Sequence, residues 1–158
     1  TAGTCDVGFV ETPLIPRGLH SAVVARDRLV VVVPPDHKWV RRHGPIDIAE
    51  LAATPLLERE PGSGTRTTLE HALGDHVRAE PLLELGSSAA IRTAAAGGVG
   101  PAVLSTLAVA ESARSGDLRI VDVAGLDLSR ELRAVWRPPR TLQGPAADLV
   151  RIARRSAQ

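Results

Sequence analysis

The chain has 158 residues, enough for one ordinary domain or two small lobes, and is 44% hydrophobic and 23% charged, which excludes a disordered protein. A net charge of +1, with arginines and acids interspersed, gives no basic face for direct nucleic-acid binding, and 2% aromatic residues argue against base-stacking platforms and aromatic sugar clefts. No apolar run nears the roughly 20 residues that span a bilayer, and the single Cys5 allows no internal disulfide, which fits a reducing compartment. In chain order, Asp6-Val7-Gly8-Phe9-Val10 reads as a short strand, and Glu11 to Ser21 as a loop broken by Pro13, Pro16 and Gly18. Leu29 to Val33 is a continuous run of the kind found in strands covered on both faces, ended by Pro34-Pro35-Asp36-His37. Asp47 with Glu50 forms a capping box that opens a helix carrying Ile48 and Leu51. A strand at Leu56 follows, then a long helix after Ser63 with the stripe Leu69, Ala72, Leu73 and Val77. Leu82 to Leu85 is a strand, Gly86-Ser87-Ser88 a junction, and the helix after it carries Ile91, Ala94 and Ala95. Gly97-Gly98-Val99-Gly100 stops that helix before a strand at Ala102 to Leu104. A helix over Leu107 to Arg114, a strand over Leu118 to Val123 and a strand alternating through Leu132, Ala134 and Trp136 complete the body; Pro138-Pro139 ends the last strand. The final helix sets Leu142, Ala146, Leu149, Val150 and Ala153 on one stripe and turns Arg151, Arg154 and Arg155 to solvent.

This alternation implies an α/β sheet with helices on both sides. In such sheets ligands collect beyond the carboxyl ends of strands, where loops and helix starts converge. Two junctions have that character. Arg59-Glu60-Pro61-Gly62-Ser63-Gly64-Thr65-Arg66 leaves backbone N–H groups free at a helix start, where the helix dipole favours an anion or a carbonyl oxygen. Ser63, Gly64 and Thr65 line it, and Arg66 offers a planar fork to a carboxylate. The same residues also fit an ordinary turn, with Thr67 and Glu70 as a ligand-free capping box. The second junction, Ser87 and Ser88, binds a ligand or merely caps its helix. If the two strands are parallel neighbours, both helix starts face one cleft.

Other chemistry is sparse. The Walker pattern fails for want of a lysine, the only one being Lys38. His20, His37, His43, His71 and His76 show no metal spacing, so no metal or cofactor is expected. Cys5 reads as a small packed apolar residue, and Ser105 lacks a nucleophile elbow. Asp122 and Asp127 have no spacing peculiar to acid–base work. An enzyme is therefore not expected.

Taken together, the ordered landmarks resemble the effector-binding domain of LysR-type transcriptional regulators. They are Asp6 to Glu11, Leu29 to His37, Glu60-Pro61-Gly62-Ser63-Gly64-Thr65-Arg66, Glu84 to Ile91, Ala96 to Ser105, Leu118 to Val123, and Leu128 with Arg130 before the Trp136 strand. The resemblance runs nearly end to end. It implies a type 2 periplasmic-binding-protein-like fold of two lobes, with a small-molecule effector, anionic or a carboxylate, in the cleft between them. By this mapping residues 1–33 are a partial first lobe, 34–136 a complete second lobe, and 137–158 the return helix of the first. The resemblance implies a fragment: the helix-turn-helix head, through which alone DNA is bound, and the start of the first lobe are absent from these residues. It further implies a cytoplasmic homo-oligomer in the intact protein, with no membrane partner. The effector-binding residues are then Ser63, Gly64, Thr65 and Arg66, Ser87 and Ser88, and Gly98, Val99 and Gly100 on a cleft-facing turn. A free-standing type 2 solute-binding protein for a small anion or oxyanion is the alternative.

Overall fold

The structure is a computed structural model describing residues 5–11, 15, 17–138 and 141–155. Pro13, Pro16 and Pro139, three of the expected breakers, lie outside the described residues. The chain divides into two compact units, Thr1–Asp27 with Ser129–Gln158, and Arg28–Leu128. Strand β2 (His20–Val33) runs through the division and starts well before the expected Leu29. Arg26, Asp27 and Arg28 interrupt its apolar pattern, so hydropathy alone shows only its carboxyl half.

In the unit Arg28–Leu128 the chain forms α1 (Ile48–Ala52), β3 (Leu57–Arg59), α2 (Gly64–Leu73), β4 (Leu83–Leu85) and α3 (Ser88–Ala96). It continues through β5 (Ala102–Ser105), α4 (Thr106–Ser115) and β6 (Arg119–Val121). The sheet order is β6-β2-β5-β3-β4. It is mixed: β2 is antiparallel to β5 and β6, whereas β3 is parallel to both β4 and β5. Because strand side chains alternate, the valine run of β2 feeds two cores. Val31 and Val33 pack with Val103, Leu69, Leu73 and Leu51 on one face. Val32, Leu57, Ala102 and Leu104 pack with Ile91, Ala95 and Val109 on the other. Helix α2 thus covers one face, and α3 and α4 the opposite face, as the sequence led us to expect. Each fully buried Leu or Ile in these layers contributes about 1.5–3 kcal/mol relative to exposure.

Local chemistry sets the helix limits. Asp47 caps α1 by accepting from Ala49 N at 2.7 Å. The expected reciprocal bond from Glu50 is absent, because its carboxylate accepts instead from Trp39 Nε1 at 2.8 Å and from Arg42. Ser63 is the cap of α2, which starts at Gly64, so Thr67 is a helical residue and not the cap of a Thr67–Glu70 box. It ends at Leu73, where Gly74 takes φ +56°, and Val77 is 90% exposed rather than part of the apolar stripe. Ser87 caps α3 by accepting from Ala90 N at 3.1 Å. Ser87→Ala is expected to cost about 1 kcal/mol, read as a lower urea midpoint at unchanged slope.

The other unit joins β1 (Gly8–Val10), β7 (Ser129–Trp136) and the amino-terminal half of β2, with β7 central. β1 pairs antiparallel with β7, Gly8 opposite Val135. Helix α5 (Gly144–Arg155) packs through Val150 and Ala153 near Val24, Ala134 and Trp136. Leu149, expected on that stripe, is 46% exposed, because the contact uses a narrower strip of helix than the apolar spacing covers. Arg151, Arg154 and Arg155 are exposed as expected. Cys5 is exposed rather than packed, its thiol donating to the Val7 carbonyl at 2.7 Å. A buried ion pair secures this unit: Arg130 donates through Nε and Nη2 to Asp27 Oδ2 at 2.9 and 2.6 Å, and through Nη1 pairs with Glu11 at 2.8 Å.

Candidate functional site

Strands β3, β4 and β5 point the same way, so their carboxyl ends, Arg59, Leu85 and Ser105, share one edge of the sheet of Arg28–Leu128. Helices α2, α3 and α4 all start there. Leu29 pairs with Ser105, so the chain enters the unit on this edge too. The convergence of the Ser63 and Ser87 junctions, expected if their strands were parallel neighbours, is therefore present. A contact documents it directly: Arg59 Nη1 donates to Ser88 Oγ at 3.2 Å. Arg92 ties α3 to α4 by donating to the Ala108 carbonyl at 2.9 Å.

The helix starts differ in how they are finished. Ser87 and Ser105 accept from backbone N–H groups of their own helices. Ser63 makes no side-chain capping bond, although its carbonyl accepts from Thr67 N at 2.9 Å. The first turn of α2 thus presents its amide dipoles without a side-chain oxygen from its cap residue. Gly62 supports this geometry with φ +86°, a conformation that L side chains resist. Gly64 and Ser63 are partly exposed, Thr65 is buried, Ser87 is exposed and Ser88 partly so.

Arg66 has a different use from the one its position implied. Its Nε donates to Glu70 at 2.9 Å, its Nη1 to Glu84 and to the Arg59 carbonyl at 3.3 Å, and Glu58 lies 3.5 Å away. Glu58 is buried on β3 and is also held by Arg78 at 2.5 Å. Arg78 reaches Glu70 as well, at 3.0 Å. Hydrogen bonds donated to Glu84 and Glu70 push the Arg66 guanidinium further up in pKa, so it is permanently charged. The fork is committed to carboxylates of its own chain, one from α2 and two from the strands beneath.

Gly98, Val99 and Gly100 are not brought to this edge. They precede β5, so they lie at its amino end, about 10 Å of strand away by the usual rise per residue. Leu57 N donates to Pro101 O at 2.8 Å there, and a Cβ on Gly100 would meet Leu82 Cδ2 at 2.6 Å. Their glycines serve the turn and this close approach. Conversely, the α4 start and Arg59 belong to the edge and were not among the expected site residues. A strand followed directly by Ser-Thr was the available signal for the first.

Titration bears on stability rather than on chemistry here. Burial, and then the Lys38 charge, hold His37 below its ordinary value of 6.5, against an opposing effect from Asp36. Its Nδ1 accepts from Trp39 N at 3.3 Å, a bond available only to the neutral ring. Burial raises Glu70, but hydrogen bonds from Arg66 and Arg78 outweigh it and hold the group below its ordinary value of 4.5. Both depressed values carry the same sign: the stabilisation is fully present above the unfolded value and lost as pH falls through the folded one. The urea midpoint is expected to fall first below pH 6.5 and again below pH 4.5. His37→Asn, which keeps a cap acceptor but cannot titrate, removes the first decline if His37 causes it.

Among the described residues, no group of three or more His, Cys, Asp or Glu side chains is placed to hold a metal ion. No described helix is long and apolar enough to cross a membrane.

The mixed sheet with helix starts gathered at one edge is a ligand-binding α/β architecture of the type 2 periplasmic-binding-protein kind. The chain belongs to the LysR substrate binding domain family, whose model matches residues 1–158. It is 50% identical over 154 residues to an HTH-type transcriptional regulator of Mycobacterium tuberculosis, covering 94% of this chain and 48% of that protein. It is 36% identical over 133 residues to the regulator YeiE of Escherichia coli K12, covering 84% of this chain and 44% of that protein. The chain thus spans about half the length of the curated relatives it matches. Among solved structures, the Synechocystis PCC6803 CcmR regulatory domain in complex with 2-PG superposes with a TM-score of 0.81 at 27% identity, covering 97% of this chain and 74% of that one.

Proposed function

We propose that this chain senses a small anionic effector at the carboxyl edge of β3, β4 and β5, through Ser63, Gly64, Thr65, Ser87 and Ser88. In the intact regulator, a homo-oligomer of the cytoplasm, this binding biases the placement of helix-turn-helix heads on DNA. The chain acts as a sensor and not as an enzyme. The observation carrying this reading is the uncapped start of α2 beside the start of α3, joined by the Arg59–Ser88 contact. Amide dipoles gathered in this way favour negative charge. Support comes also from the Synechocystis domain, which holds the small molecule 2-PG. A ligand preferring one arrangement of the regulator over another supplies about 1–3 kcal/mol of coupling, enough to change promoter occupancy several-fold.

The test is a thermal-shift screen of small carboxylates and phosphate esters on the full-length protein. A bound effector at a hundred times its dissociation constant adds about 2.7 kcal/mol of stability. Thr65→Val, which removes one hydroxyl at nearly constant shape, is expected to weaken that effector by about 0.5–1.5 kcal/mol. A hit that binds Thr65→Val and Ser88→Ala as tightly as the parent places the effector elsewhere.

A further inference from the structure

We infer that Arg59 is the receptor for the effector's negative group, a carboxylate or a phosphate, and that the Glu60 carboxylate is an internal stand-in which the effector displaces. The inference rests on the effector site proposed above and names the charge that site takes.

Arg59 ends β3 at the edge where the α2 and α3 starts meet. Its Nε and Nη2 donate to the two oxygens of Glu60 at 2.7 and 2.8 Å, the fork-to-carboxylate geometry by which arginine recognises planar anions. Its remaining terminal nitrogen donates to Ser88 Oγ at 3.2 Å. The Arg59 carbonyl is in turn held by Arg66 at 3.3 Å, so the strand end is fixed while the guanidinium faces the junction of two helix starts.

The partner differs in kind from those of Arg66. Arg66 and Arg78 are tied to Glu58, a carboxylate only 4% exposed and anchored in the sheet. Glu60 is 44% exposed and sits on the loop, whereas Arg59 is 21% exposed. An ion pair with an exposed carboxylate contributes little net stability and exchanges readily. Hydrogen bonds from Arg59 hold the Glu60 carboxyl below its ordinary value, so it stays charged at neutral pH and competes with any incoming anion. An external carboxylate or phosphate can take over both N–H bonds and also meet the uncapped turn of α2.

The experiment is calorimetric titration of the full-length protein with inorganic phosphate, acetate and 2-PG, for the parent, Arg59→Ala and Glu60→Gln. Glu60→Gln removes the competing charge and is expected to tighten binding about fivefold, and Arg59→Ala to weaken it by at least about tenfold. Opposite signs at neighbouring residues are the signature, since a merely structural pair is harmed from either side. Should Arg59→Ala fail to fold, Glu60→Gln decides alone: tighter binding supports the inference, and unchanged or weaker binding overturns it. A probe that binds the parent and Arg59→Ala equally overturns the role of Arg59 and leaves the effector site standing. If none of the three probes binds the parent, both the anionic site and this inference fall.

Discussion

Arg66→Ala is expected to destabilise the protein by about 3 kcal/mol, a loss seen in urea unfolding without any effector present. Removing one partner of a buried pair is expensive because the other charge stays behind. Arg66 lies against Glu58, which is buried, and against Glu70 and Glu84. Without it, Glu58 and Glu70 are left to Arg78, and Glu84 loses its pairing with Arg66. Glu84→Gln provides the contrast: Glu84 is half-exposed, so its loss is expected to cost less than about 1 kcal/mol. Adding Glu58→Gln to Arg66→Ala should restore part of the stability, a coupling that a double-mutant cycle measures directly. A single mutant within about 0.5 kcal/mol of the parent would show that the network is not held together as described.

Arg130→Ala is expected to cost about 3–5 kcal/mol, the largest single effect outside the apolar cores. Asp27 is 3% exposed and Arg130 6%, with two guanidinium N–H groups on one carboxylate oxygen. The truncation takes the guanidinium away from a carboxylate that stays buried. Arg130→Lys keeps the charge but cannot reproduce both bonds, and an intermediate loss is expected. The neutral pair Asp27→Asn with Arg130→Gln should be less damaging than Arg130→Ala, because both buried charges are removed together and Glu11 is exposed. Equal losses for the neutral pair and for Arg130→Ala would assign the effect to packing instead. Chemical denaturation of all three variants at one pH separates these outcomes.

How far the sequence could be read depended on whether the governing contact was local. The valines of β2, the serine that caps α3 and the glycine-rich junction at Ser63 carry their meaning in a few adjacent residues. They were legible. Arg66 was not, because Glu84 is supplied by a strand 18 residues away that only sheet pairing brings near. The place of Gly98 to Gly100 was hidden for a related reason: which edge a turn occupies depends on strand direction, and β5 runs parallel to β3. Val77 fits the helical spacing perfectly well, but Gly74 ends the helix first. The start of β2 was hidden because charged residues can occupy a strand when, like Asp27, they are paired inside the protein.

The arrangement of the two arginines on α2 and β3 has an evolutionary consequence. Arg66 knits the sheet to its helix, whereas Pro61 and Gly62 are exposed and Ser63 and Gly64 partly so, so under the proposed function recognition can drift independently of the scaffold. On that proposal, a lineage acquiring a new metabolite signal exchanges junction side chains while the paired framework beneath is kept.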